Sequence, residues 1–139
     1  MLSNTLLLIS TASLGIFLGA QIAEAFLIVP YWKRLSPKAF FQFYQTTGDG
    51  LHRFFAPLTI MATFSTFASV GYQLTLAEQN LVVLLAIAIC TMLFFATYFV
   101  FFKNANRQFA ERGLSDETLP AALRRWETWH WVRVGFEFA

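Results

Sequence analysis

From Leu81 to Phe102 the sequence carries no charged side chain. Coiled as a helix rising 1.5 Å per residue, such a run spans the hydrocarbon core of a bilayer, roughly 30 Å. Lipid offers the backbone no hydrogen-bond partners, so a helix that bonds within itself is the conformation open to it. Two further stretches, about 5–29 and 57–76, have the same apolar character. Hydrophobic residues make up 57% of the chain and charged ones 13%, too few to cover a water-facing surface. Seventeen phenylalanines suit lipid contact and packing between helices. The net charge of +2 is too small to point to nucleic acid. One cysteine, Cys90, excludes an intramolecular disulfide and any multi-cysteine metal site.

The chain reads as a single membrane domain over 1–139. Its first span contains Gly15-Ile-Phe-Leu-Gly19, a spacing that lets another helix approach closely. Ala23-Glu-Ala25 mimics a signal-peptide cleavage site, but no basic segment precedes the apolar run, so the span is expected to be retained. Pro30 is expected to end it, with Tyr31 and Trp32 as an interfacial belt ahead of Lys33 and Arg34. Ser36-Pro37 predicts the cap and first turn of a short interfacial helix running to about Thr47. Phe40, Phe41 and Tyr44 share one side of it, and Gly48-Asp49-Gly50 is expected to break it.

Pro57 is predicted either in the first turn of the second span or as a kink within it. Thr59, Thr63, Ser65, Thr66 and Ser69 mark a packed face whose hydroxyls bond back to the backbone. A tight polar turn, Thr75–Asn80, leads into the third span at 81–102, which projects onward through Lys103–Phe109 until Gly113. The fourth helix is expected to start at about 120–126, with Ser115, Asp116 or Thr118 as its cap and Pro120 in its first turn. Trp126 to Ala139 covers only about 21 Å as a helix, so either the helix stops partway or, as favoured, an apolar continuation past Ala139 is expected. The fold these signals predict is all-α: an integral membrane four-helix bundle with a short interfacial helix after the first span.

Lys33, Arg34, Lys38, Arg53, Lys103, Arg107, Arg112, Arg124 and Arg125 all fall in the two connections on one side, whereas the opposite loop offers only Glu78. The positive-inside bias places the basic side in the cytoplasm and both termini outside, most simply in a bacterial inner membrane.

That topology gathers the costly polar groups. Trp126, His130, Arg133 and Glu137 are spaced four, three and four and form one helical stripe. Glu24, His52, Arg53, Asn104, Asn106 and Arg107 share the same half of the bundle. Ionisable groups in spans are expensive and normally turn inward, paired. Arg133 has Glu137 one turn away as a local partner and Glu24 as a cross-helix one. His130 is then a candidate general base, and Arg107 and Arg133 candidate holders of an anionic oxygen. The plain alternative is a polar belt, with arginines reaching the headgroups, Trp126, Trp129 and Trp131 anchored at the interface, and His130 bonded to a carbonyl. No cofactor is expected. The minor alternative is haem b between His52 and His130, and zinc lacks further ligands.

The layout resembles the DUF1772, or anthrone oxygenase-like, family of small four-helix membrane proteins. Gly15 and Gly19 stand in a first helix ending at Pro30, the third helix ends in an asparagine-containing turn, and Trp126-x-x-x-His130-x-x-Arg133 opens the fourth. Asn106-Arg-Gln-Phe109 fits the family asparagine better than Asn104. The early end, the extra Trp129 and Trp131, and Glu24 depart from the pattern. The resemblance implies a cofactor-independent oxidation of a lipophilic anthrone- or quinone-like aromatic by molecular oxygen. In it His130, Arg133, Arg107 and Asn106 are the catalytic candidates, and Trp126, Asn104, Glu24 and Glu137 the substrate-binding ones. A different reading is a non-catalytic accessory subunit of a larger membrane complex, or a homo-oligomer, suggested by the GxxxG and the Phe-rich exterior. Either way the partners are the bilayer and, for the first reading, a lipophilic small molecule. A transporter is disfavoured by the short chain and the lack of an inverted repeat.

Overall fold

A computed structural model describes residues 2–76 and 80–139. The expected loop residue Glu78, with its neighbours 77 and 79, lies outside the described residues. Four helices make up the fold: α1 (Leu2–Arg34), α2 (Pro37–Gln73), α3 (Leu81–Ala110) and α4 (Leu119–Phe138). The first three are long and apolar enough to cross a membrane, and they suggest an integral membrane protein. At 20 residues α4 also has the length, but it carries Arg124, Arg125, Glu127, Arg133 and Glu137 and is not among those three. α1 packs on α2, α2 on α3, α3 on α4, and α4 returns to α1, so the helices close into a ring.

Two expected breaks are absent. Pro30 does not end the first helix. The turn before it, Glu24–Ile28, widens to a π-turn, with Val29 N–H donating to the Glu24 carbonyl five residues back. A proline lacks the N–H of a regular turn and its ring crowds the carbonyl four residues earlier. A wider turn immediately ahead relieves that crowding, so the chain runs on to Arg34. Nor does Gly48-Asp49-Gly50 separate a surface helix from the second span. α2 is one helix of 37 residues, about 55 Å long, with Pro57 inside it. Ser36 caps it, its side chain accepting from Ala39 N–H at 3.4 Å.

The helices outrun the hydrocarbon thickness, and the surplus builds an aromatic core at the basic end. Val29, Trp32, Phe40, Phe41, Phe102, Phe109, Leu119, Leu123 and Trp126 are all buried there. Trp32 meets Phe40, Tyr44 and Trp126 edge-on at ring separations of 5.3–5.9 Å, the geometry favoured by the ring quadrupoles. Phe40 and Phe41 are therefore packed under the bundle. A smaller cluster of Phe17, Ala62 and Phe94 fills the middle. The outward faces are apolar, as Val82, Met92 and Val100 illustrate. Gly15 and Gly19 lie on the outer face of α1, with nothing within 4 Å of where a Cβ would sit.

α3 ends at Ala110 in a Schellman-type turn, with Gly113 N–H donating to the Gln108 carbonyl at 2.8 Å. The left-handed residue there is Arg112 (φ 53°), one before the glycine expected to end the helix. Its guanidinium lies over the Phe41 ring at 5.7 Å, a contact that offsets part of the strain. α4 begins after Thr118 with Pro120 in its first turn. Ser115 supplies the capping oxygen instead of Thr118, accepting from Thr118 N–H at 3.3 Å.

Candidate functional site

His130 sits at the centre of the polar residues. It is fully buried, and its ring lies flat against Trp126, 5.1 Å away at 13°. Position 126 is one turn before 130 on α4, so the two side chains lie over one another. Arg133 is three residues further on and reaches back, Nη2 to His130 Nδ1 at 2.8 Å. A guanidinium can only donate, so Nδ1 is the acceptor and the ring's proton is on Nε2. That proton is donated to the backbone carbonyl of Gln21 at 2.9 Å. Both ring nitrogens are thus committed inside the protein.

α1 supplies the countercharge. Glu24 Oε2 lies 3.4 Å from Arg133 Nη2 and 3.6 Å from His130 Nδ1. Because His130 holds its Nδ1 lone pair for Arg133, the ion pair is the one between Glu24 and Arg133. The Arg133 guanidinium also lies 4.3 Å above the Phe102 ring, so it is held inside the bundle and does not reach for headgroups. The cross-helix partner expected for Arg133 is present. The local one, Glu137, acts on Arg133 through charge alone, because both of its carboxylate oxygens are buried without a hydrogen-bond partner among the described residues.

These groups border a cavity of about 650 Å³ between the four helices. Glu24 and Trp32 of α1 line it, with Tyr44, His52 and Thr59 of α2, Tyr98, Phe102, Lys103, Asn106 and Arg107 of α3, and Trp126 and Arg133 of α4. Asn106 is fixed by Trp126, whose indole N–H donates to its Oδ1 at 2.9 Å. Asn104 is not on the wall. Its Oδ1 accepts from Arg107 Nη2 at 2.9 Å and orients that guanidinium from outside. His130 lies behind Trp126 and Arg133, and Glu137 faces a separate, smaller cavity. Of the eight residues singled out in the sequence, Glu24, Asn106, Arg107, Trp126 and Arg133 meet at the larger cavity.

The π-turns explain how both walls face inward. On α1 the buried positions run Phe17, Gln21, Glu24 and Ala25 and then, across the π-turn, Val29 and Trp32. α3 repeats the device at Tyr98–Phe102, between buried Thr97 and Phe102. One extra residue in the turn re-aims the inward stripe, so Glu24 and Trp32 line the same cavity. Tyr44, Trp32 and Lys103 were not foreseen at the site. The Phe40, Phe41, Tyr44 stripe held the signal for Tyr44, but the supposed break at Gly48 detached it from the bundle.

The haem alternative needs a free nitrogen on each histidine. His52 lines the cavity, whereas His130 has neither nitrogen free and is off the wall. Among the described residues no group of three or more histidine, cysteine or acidic side chains is placed to hold a metal ion. In comparison with known proteins, no family model, no curated protein and no solved structure matches the chain.

Proposed function

We propose that the protein is a membrane-embedded, oxygenase-like enzyme that oxidises a flat, lipophilic, anthrone- or quinone-like aromatic in the larger cavity. The observation that carries this reading is the meeting of a carboxylate, Glu24, and two guanidiniums, Arg133 and Arg107, on the wall of an aromatic chamber. Its volume of about 650 Å³ lies within the range usual for small-molecule sites. Such a chamber admits an apolar ring system from the bilayer and holds a developing negative charge at low dielectric, where fixed donors act most strongly.

The chemistry assigned to it needs a base, an anion holder and oxygen. Glu24 takes a proton from the ring carbon opposite the substrate carbonyl. Arg133 and Arg107 hold the resulting enolate oxygen, with Asn106 and Trp126 fixing the ring plane. The electron-rich carbon reduces dioxygen and bonds to it, and the peroxide takes back the proton held by Glu24. Loss of water, formed from the hydroperoxide OH and the remaining hydrogen on that carbon, leaves a second carbonyl. Each turnover consumes one dioxygen and releases one water. His130 is a positioning residue in this scheme, since acting as the base would require it to break one of its two hydrogen bonds. The orientation that goes with it is the one expected from the charge distribution, with the basic end of a four-span bundle in the cytoplasm.

The test is oxygen uptake and quinone formation by the purified protein supplied with an anthrone. Glu24→Gln keeps the shape and removes the base, and turnover falls by about 10²-fold or more while binding persists. Turnover equal to that of the unaltered protein overturns the reading. A second reading, a non-catalytic subunit of a membrane complex, draws on the outward-facing Gly15 and Gly19. Co-purification of a stoichiometric membrane partner, with no turnover of any anthrone, favours it.

A further inference from the structure

The buried cluster of Phe17, Ala62 and Phe94 lines a second cavity of about 220 Å³. Most of its wall is apolar, but oxygen-bearing side chains from all four helices line it, among them Ser10 on α1, Thr63, Thr66 and Ser69 on α2, Thr91 on α3 and Glu137 on α4. Thr63 differs from its neighbours. Thr59 and Thr66 return their hydroxyl protons to carbonyls of their own helix, at 2.9 Å to Phe55 and 2.8 Å to Ala62. Thr63 is only 4% exposed, and its Oγ1 has no hydrogen-bond partner among the described residues. The same is true of both carboxylate oxygens of Glu137. Buried polar atoms left in this condition are destabilising unless something else engages them.

The charges point to what that is. Arg133 and Glu137 lie within two turns of His130 on α4, and Glu24 meets Arg133 from α1; the hydrogen-bond pattern makes His130 neutral. Two carboxylates act on one guanidinium, and the Arg133 Nη2 hydrogen bonds go to Glu24 and His130. With both carboxylates ionised, one negative charge is left over on the side of the smaller cavity. Hydroxyl oxygens that donate their proton elsewhere keep lone pairs for a cation, so Thr66 remains able to coordinate.

We propose that the smaller cavity binds a monovalent metal cation of the sodium class, held by the Glu137 carboxylate and the Thr63 hydroxyl, with the Thr66 hydroxyl one turn along α2 and water completing the shell. One carboxylate among neutral oxygens matches a single positive charge. Calcium sites gather several charged or carbonyl oxygens, and zinc sites take nitrogen or sulfur. The inference does not depend on what the larger cavity does.

The experiment is thermal unfolding of the full chain in detergent, as sodium chloride replaces N-methylglucamine chloride at constant ionic strength. The unfolding temperature of the unaltered protein rises with sodium, as it must for any ion bound only by the folded state. Glu137→Gln abolishes the rise, and Thr63→Val shifts it to at least tenfold higher sodium. Substituting lithium or potassium for sodium ranks the site by ion size. No sodium dependence in the unaltered protein overturns the proposal, as does an equal response in Thr63→Val, which remains informative if Glu137→Gln does not fold. A protein indifferent to sodium but stabilised by acidification also overturns it, because the missing charge is then a proton on Glu137.

Discussion

Arg133 Nη2 donates to His130 Nδ1 at 2.8 Å, and this bond determines which of the imidazole nitrogens carries the proton. With Nδ1 occupied, Nε2–H is directed to the Gln21 carbonyl at 2.9 Å. The histidine thereby bridges α4 to α1, and the same guanidinium adds a second bridge to Glu24. A carbonyl in a helix already accepts from the turn that follows it, so the bond to Gln21 uses its second lone pair and leaves the helix intact.

Replacing His130 with alanine removes both ends of the bridge at once. The Arg133 donor loses its acceptor, and a hole opens beside Trp126. Together these amount to about 3 kcal/mol of lost stability. The expected outcome is a clear fall in unfolding temperature in detergent. His130→Gln, which can accept at its oxygen and donate at its nitrogen, recovers part of the loss.

Trp126→Phe tests the other fixed contact. The stacking against His130 survives, but the indole N–H that holds Asn106 Oδ1 at 2.9 Å is gone. Stability falls by about 1 kcal/mol. Binding of an aromatic probe in the larger cavity, followed by fluorescence quenching, weakens severalfold because Asn106 is no longer held.

The continuity of α2 has its own test. Gly50 is exposed and helical, and an added Cβ meets nothing within 4 Å. In an unbroken helix Gly50→Ala stabilises by about 1 kcal/mol, the difference in helix propensity. If the chain instead breaks at 48–50, alanine brings no such gain, and differential scanning fluorimetry distinguishes the two.

Lys33 Nζ and Glu127 Oε2 are 2.7 Å apart, the shortest ion pair among the described residues, yet both side chains are partly exposed. Solvent screening and side-chain ordering reduce such pairs to about 0–1 kcal/mol. A double-mutant cycle with Lys33→Ala and Glu127→Ala is expected to give a coupling energy in that range. The buried Glu24–Arg133 pair, treated the same way, is expected to give a larger one.

Much of this was legible in the residues. Apolar runs located the three long helices, Ser36 and Pro37 marked the start of α2, and the expense of Glu24 in an apolar helix predicted a cross-helix cation. The errors have a common origin in local signals overruled by packing. Gly48 and Gly50 each weaken a helix by about 1 kcal/mol, but Phe40, Phe41 and Tyr44 are locked into the aromatic core below them, and the span above continues the same rod. Pro30 ends helices when the turn before it is regular, and here it is not. The phase change at Glu24–Ile28 left no mark in composition, so Trp32 read as an interface anchor when it is a chamber wall. His130 was legible as a buried polar residue, but its hydrogen bonds depend on a backbone carbonyl, which no side-chain pattern reveals.

The wide turns at Glu24–Ile28 and Tyr98–Phe102 each amount to one residue more than a plain helix requires. Removing a single residue from either would leave the membrane half of that rod where it is and swing everything below through about 100°, carrying Trp32 or Asn106 out of view of the chamber. In an up-and-down bundle of this size, one extra residue in each of two turns decides which side chains look into the chamber.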